Sequence, residues 1–327
     1  MNQSPVLNDM TTSIDAIKYI VELEGLNLKA ISFDDLQKLV LNYFPVLPIP
    51  ASEIPVGEKI YRARLNIENN NKAFTLAERI TAPKSEYVKE FGRANKINEP
   101  IFYASSNYLM AAFEVMQYYK TNDFINDKIL FLTVGEWEVK QKLNIAQIVH
   151  SDKTHSIRKD IQENYLKRKA ILDHGILTGE FKQDVVDAAT LICDFFANQF
   201  TKENVNSHHD YKLSACYVER IKNIREYQSI TEENKLDGVN YPSVAIKYKG
   251  DNQAIFIESV EAKLKLVNAY QLVCFYVNYS EFGCTSKILH EAESIENGII
   301  TWKTEMYKGQ FRLFAGLPST CKKQPHI

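Results

Sequence analysis

The stretch Ile101–Val115, IFYASSNYLMAAFEV, changes its period halfway along. IFYAS is a short, largely apolar run that reads as a strand. Ser106 or Asn107 can then cap a helix, and from Leu109 to Tyr119 the residues are apolar almost all the way round a helix. Glu114 stands in the middle of that helix. A carboxylate at such a position asks for a reason, because an ion in apolar surroundings is costly unless something compensates it.

Outward from this stretch, the neighbouring segments supply cations. Upstream, KIYRARL (Lys59–Leu65) alternates as a strand and puts Arg62 and Arg64 on one face. NIENNNKAF then reads as a polar loop, and FGRAN (Phe91–Asn95) as a turn. Further upstream, SIDAIKYIVELEG predicts a helix facing its core with Ile14, Ile17, Ile20 and Val21 and stopped by Gly25. SFDDLQKLVLNYF predicts a second, capped by Ser32, with Leu36, Leu39, Val40 and Tyr43 inward. PVLPIPASEIP, with four prolines in eleven residues, reads as an extended connector.

Downstream, KILFLTVGEWEV reads as a strand or hairpin. From about 151 to 235 the pattern turns helical in IRKDIQENYLKRKAIL, DVVDAATLICDFFANQF and YKLSACYVERIKNI. β-like segments return in GVNYPSVAIKY, QAIFIE, KLKLVNAYQLVCFYVNY, GIITWKTEMY and QFRLFAG. Strands, then helices, then strands predict an α+β protein with a helical insertion. We expect residues 1–55 to form a helical accessory segment with its connector, and 56–320 to form the main domain, with the insertion at about 151–235.

Composition narrows the function. The 327 residues carry a formal charge of −2, which gives no electrostatic reason to expect nucleic acid or an anionic membrane as partner. No run approaches the ~18 apolar residues of a spanning helix, and no basic-then-apolar leader opens the sequence. Five scattered cysteines without a C-x-x-C fit a reducing, cytoplasmic setting and not a disulfide or zinc scaffold. Cys193 and Cys216 lie in apolar helical patterns and read as core. His208–Asp210 (HHD) reads as a solvated loop, and no metal site is expected. Neither G-x-G-x-x-G nor a P-loop is present, so any phosphate needs cationic side chains.

Four fragments in order carry a resemblance: YRAR at 61–64, FGRAN at 91–95, IFYASSNYLMAAFEV at 101–115 and LDGVNYPSVAIKYKGDNQAIF at 236–256. Together the set resembles the RES-domain family, covering about residues 58–260. The resemblance implies an ADP-ribosyltransferase-like split β-sheet core and an enzyme that degrades NAD⁺, a glycohydrolase or phosphorylase passing ADP-ribose to water or inorganic phosphate. NAD⁺ is then the substrate and no cofactor is implied. Relatives often act as toxins held by a helix-turn-helix antitoxin. Such an antitoxin and a second copy of this chain are the macromolecular partners to look for.

The resemblance implies roles for five residues: Arg62, Glu114 and Ser243 as catalytic, Arg93 and Tyr103 as substrate-binding. Glu114 would stabilise an oxocarbenium-like ribose. Arg62 and Arg93 suit bidentate contact with the pyrophosphate, and one of them is expected to balance Glu114 in the free enzyme. Tyr103 would stack on nicotinamide or ribose, and Ser243 would donate to a phosphate. Many relatives have two glycines and an aromatic residue around that arginine. Ala94 departs from this and offers no stacking surface. Two other readings stand beside the leading one. They are transfer of ADP-ribose to a macromolecule, and an inactive NAD-binding interaction protein.

Overall fold

A computed structural model gives the fold of residues 11–117, 129–148, 150, 159–223, 235–245, 250–278, 283–304 and 312–315. Among them no helix is long and apolar enough to cross a membrane. Two capped helices come first, α1 (Ser13–Glu24) and α2 (Phe33–Tyr43). The Thr12 and Ser32 hydroxyls accept from the amides of Asp15 (3.2 Å) and Asp35 (3.0 Å), satisfying donors that a helix start leaves unpaired.

α2 buries Leu36 and Val40 with Leu39 and Tyr43 packed beside them, as its pattern predicts. α1 turns a different face inward from the one expected. Ala16 and Leu23 are buried, with Tyr19 and Ile20 against the same core, whereas Ile14, Ile17 and Val21 are exposed. Both stripes have helical spacing, and small Ala16 lets α1 lie close on its neighbour. Period alone could not choose between them.

The strands are β1 (Ala51–Ile54), β2 (Lys59–Leu65), β3 (Ile101–Ser105), β4 (Leu130–Val139), β5 (Leu143–Gln147), β6 (Gly238–Pro242), β7 (Asp251–Phe256), β8 (Leu264–Asn278), β9 (Gly283–Glu296), β10 (Ile299–Trp302) and β11 (Arg312–Ala315). The remaining helices are α3 (Tyr108–Gln117), α4 (Lys159–Leu177), α5 (Gln183–Phe200), α6 (Lys212–Lys222) and α7 (Ile257–Lys263). This is the α+β class, built on a mostly antiparallel sheet in the order β1-β5-β6-β7-β3-β2-β4-β8-β9-β10, with β11 also on β9. The β5–β6 pair is parallel. The proline-rich connector thus ends in an edge strand, the place where a sheet tolerates proline.

One junction is weak. β2 pairs with β4 along all seven of its residues, and β3 with β7 along all five, but β2 meets β3 at the single pair Tyr61↔Ser105. Beyond it the two strands diverge, and the sheet is seamed into a β1–β3 half and a β2–β10 half.

Three cores hold the halves. α1, α2, α5 and α6 share one core with side chains of β3, β5, β6 and β7, so the first two helices form one layer with α5 and α6. α5 supplies Phe195, Phe196 and Phe200, all buried, each worth about 1.5–3 kcal/mol of transfer free energy. A second core gathers Phe102, Ile145 and Ile255 from one half with Ile60, Leu266 and Ile300 from the other. The third seats α3 on β2, β4 and β8 through Phe113, Met116, Ala63, Leu132 and Leu272. Gly238 lies so close to β7 that a Cβ there would stand 2.2 Å from the Ala254 carbonyl oxygen, so only glycine fits.

Candidate active site

Where β2 and β3 part, a cleft of about 1040 Å³ opens between them. That is the upper end of the roughly 300–1,000 Å³ usual for small-molecule sites. Its lining gathers Tyr103, Ser105, Glu114, Tyr241 and Asn252 in one cluster and Arg64, Glu68 and Arg79 in another, with Arg62, bonded to the Tyr103 carbonyl, and Lys84 also on the wall.

Glu114 reaches the cleft because Ala111, Glu114 and Val115 share the face of α3 that lines it, while Phe113 and Met116 turn into the third core. Asn107 caps this helix, accepting from the Leu109 amide at 2.8 Å. Glu114 Oε1 accepts from the Ser243 hydroxyl and from Asn252 Nδ2 at 2.7 Å. Asn252 is set in turn by Ser105, whose hydroxyl donates to its Oδ1 at 2.7 Å. Ser243, Asn252 and Ser105 are all buried, so the carboxylate sits in a prearranged socket. Its second oxygen, Oε2, takes no hydrogen bond from any described residue.

The expected arginine partner of Glu114 is absent: neither Arg62 nor Arg93 pairs with it. Burial is compensated instead by two neutral donors, which satisfy the carboxylate without neutralising its charge. Ser243 thereby has a different task from the expected one. Its hydroxyl is spent on Glu114 and not offered to a phosphate.

Arg62 closes the seam from the other side. Its Nε donates to the Thr81 carbonyl (3.0 Å) and one terminal nitrogen to the Tyr103 carbonyl (2.9 Å), replacing ladder bonds that the diverging strands cannot make. Among the described residues it has no carboxylate partner, and its guanidinium lies 5.5 Å from the Phe102 ring centre. Burial, with the like charge of Arg64, lowers its pKa to about 10. It is therefore still a cation at neutral pH, lining the cleft with no carboxylate paired to it among the described residues.

Arg93 is placed elsewhere. Its guanidinium donates to the carbonyls of Phe200 and Lys202 (3.0 Å for the latter) and lies 5.0 Å from the Tyr211 ring centre. It thus satisfies the carboxyl end of α5, where a cation is favourable, and it does not line the cleft. The expectation of a substrate contact gives way to one of positioning. The turn it belongs to holds Tyr103: the Ala94 amide donates to the Tyr103 oxygen (2.9 Å), and that hydroxyl donates to Asn95 Oδ1 (2.7 Å). Gly92 makes the approach possible, since a Cβ there would stand 2.3 Å from Asn95 Oδ1 and 2.8 Å from the Tyr103 oxygen. The Tyr103 ring remains on the cleft, and burial raises the pKa of both Tyr103 and Tyr241, leaving them neutral hydroxyls.

Sequence reasoning missed Ser105 and Tyr241, and it left Asn252, though in family-like surroundings, without a role. Asn252 and Ser105 pair across β3 and β7, which a correct register of the two strands would have revealed. The HHD stretch is not a solvated loop either. It forms a 3₁₀ turn whose Ser207 and Asp210 make a capping box, and the His208 ring accepts from the Phe91 amide at 3.3 Å. Cys193 and Cys216 are buried, as their patterns predict. Among the described residues no group of three or more His, Cys, Asp or Glu could hold a metal. Comparison with known proteins finds no family model that matches the chain and no curated protein that matches it in sequence.

Proposed function

We propose that the protein cleaves the nicotinamide–ribose bond of NAD⁺, as a RES-type enzyme on an ADP-ribosyltransferase-like split sheet. The observation that carries this reading is the polarity of the cleft. Glu114 lines the cleft in one cluster with Ser105, Tyr241 and Asn252, and an excess of arginine charge lines it in another, where Arg64 and Arg79 share the one carboxylate of Glu68. NAD⁺ has the matching order, with a cationic nicotinamide ribose followed by an anionic pyrophosphate.

Nicotinamide leaves as a neutral molecule, so the departure needs no strong acid, and the neutral phenols of Tyr103 and Tyr241 are adequate walls. Positive charge grows on the ribose as the C–N bond breaks, and Glu114 Oε2 faces it. Oε1 stays locked on Ser243 and Asn252, so the carboxylate need not reorganise during the reaction. Water attacking the ribose C1 gives ADP-ribose and a proton. Inorganic phosphate gives the ADP-ribose phosphate.

The test is to incubate purified protein with NAD⁺, with and without inorganic phosphate, and weigh the products. Nicotinamide with ADP-ribose identifies a glycohydrolase, and a phosphorylated product formed only with phosphate identifies a phosphorylase. Intact NAD⁺ under both conditions overturns the proposal, and ADP-ribose found on a macromolecule replaces it with transfer. Where a cell expressing the chain loses NAD⁺ and stops growing, the toxin reading gains the same support, and an antitoxin or second copy is to be sought in its complexes.

A further inference from the structure

At the arginine end of the cleft, one surface carboxylate is placed with unusual economy. Glu68 Oε2 accepts from Arg64 at 2.6 Å and from Arg79 at 3.1 Å, bridging the two guanidinium groups with a single oxygen. Both guanidinium groups lie on the buried Phe74 ring, at 5.2 and 5.5 Å from its centre, and Arg64 also donates to the Arg79 carbonyl at 3.0 Å. The two cations are therefore fixed side by side, and both side chains line the cleft. That is a fork for two adjacent anionic oxygens.

Glu68 itself is 61% exposed, yet the turn carrying it is not loose. Asn66 is fully buried, its amide donates to the Phe131 carbonyl, and its Oδ1 accepts from Thr133. Asn69 Nδ2 donates to the Lys72 and Ala73 carbonyls, both at 3.0 Å. Asn70 and Asn71 take positive φ of 52° and 64°, a region asparagine tolerates better than most residues. With the backbone pinned on both sides, only rotation of the Glu68 side chain is needed to bare the arginine pair.

The geometry points to Arg64 and Arg79 as the binding site for a diphosphate group, with Glu68 as a resident carboxylate that the diphosphate displaces. This rests on the dinucleotide reading for the identity of the ligand, but the anion site is argued from the three side chains alone. A single carboxylate occupies one bridging position. A diphosphate brings more charge and several acceptor oxygens, so it wins the exchange where a monoanion does not. The device makes the arginine end selective for diphosphates while keeping it closed to small anions.

The test is a titration of the full chain with inorganic pyrophosphate, and separately with acetate, by calorimetry at fixed low salt. Glu68→Gln should bind pyrophosphate about fivefold more tightly than wild type, because two partly exposed ion pairs no longer compete. It should also gain affinity for acetate. Arg79→Ala should weaken pyrophosphate about tenfold, and a melting curve for each variant checks that the fold is retained. Equal pyrophosphate affinity in wild type and Glu68→Gln overturns the latch, and pyrophosphate binding unchanged by Arg79→Ala overturns the site. If pyrophosphate behaves as expected while NAD⁺ is never cleaved, the anion site stands and the enzymatic reading fails.

Discussion

The two ends of the cleft are charged oppositely and built differently. Glu114 is held by the buried neutral donors Ser243 and Asn252, with Ser105 behind them, and has no ion pair among the described residues. Arg64 and Arg79 are partly exposed and share an ion pair with a carboxylate that can swing away. In the proposed reaction a neutral socket keeps the carboxylate in place while positive charge develops on the ribose. A salt-bridged pair keeps cations soluble and ordered until an anion arrives. Rigidity belongs to the first end and exchange to the second.

Removing the charge of Glu114 should have the largest effect. Glu114→Gln retains an oxygen for Ser243 and Asn252, so the fold should hold while nicotinamide release falls about 10²–10³-fold, the scale of losing one preorganised electrostatic contact. Turnover near wild type would remove Glu114 from the mechanism and level the two ends. Next come Ser243→Ala and Asn252→Ala. Each frees the carboxylate from one restraint and should lower kcat about 10²-fold with KM little changed, as expected of misplacement. The double variant should lose little more than either single one, because both act through Oε1. Additive losses would instead mean that each residue touches substrate on its own account.

This contrast explains what could be read in the chain beforehand. β2, α2, α3 and α5 were legible because each repeats its period over enough residues, and β3 because IFYAS is a short apolar run just before a helix cap. Glu114 was conspicuous as the one carboxylate on an apolar helix. β5 and β9 were not anticipated: LNIAQ is too short to show a period, and GCTSKILHEAESIE mixes polar residues through a strand that lies between β8 and β10. α7 is seven residues long, below what periodicity reveals. At the site, the types were legible and the partners were not. The expectation that an arginine would balance Glu114 followed charge, whereas the fold used register, setting Asn252 opposite Ser105. Arg93 looked like a phosphate ligand because nothing in FGRAN tells that the end of α5 lies beside it.

Smaller effects test the supports of the rigid end. Gly92→Ala places a methyl group against Asn95 and the Tyr103 hydroxyl, and should cost about 2 kcal/mol of stability by overpacking, read from a denaturant midpoint. KM should rise with it as Tyr103 shifts. An unaltered midpoint would show that the turn can yield, and that the Tyr103 wall is less rigid than its hydrogen bonds suggest. Arg93→Ala should cost about 1.5 kcal/mol through two lost bonds to carbonyls, while kcat/KM per folded molecule stays within about twofold. A loss of kcat/KM at full stability would return Arg93 to the substrate.

The least effect is expected where the same turn is tied down by surface charge. Glu99 accepts from Lys222 and lies 3.4 Å from Lys96, which in turn reaches Glu219 at 2.8 Å, so four side chains link the chain just after FGRAN to α6. Burial pushes the Glu99 pKa up, but the hydrogen bond from Lys222 and the nearby lysine charges outweigh it, and the net shift is downward. A carboxyl whose folded pKa is depressed contributes stability above its ordinary range and loses it as pH falls through the folded value. Glu99→Gln should therefore cost about 0.5 kcal/mol at pH 7, the scale of partly exposed pairs. The gap from wild type should close as the pH falls below the carboxylate range, where Glu99 is protonated in both folded and unfolded chains. Denaturant midpoints at pH 7 and at acid pH measure this. A cost that persisted in acid would show that Glu99 acts by packing and not by charge, bringing this outer tie closer in kind to the neutral socket around Glu114.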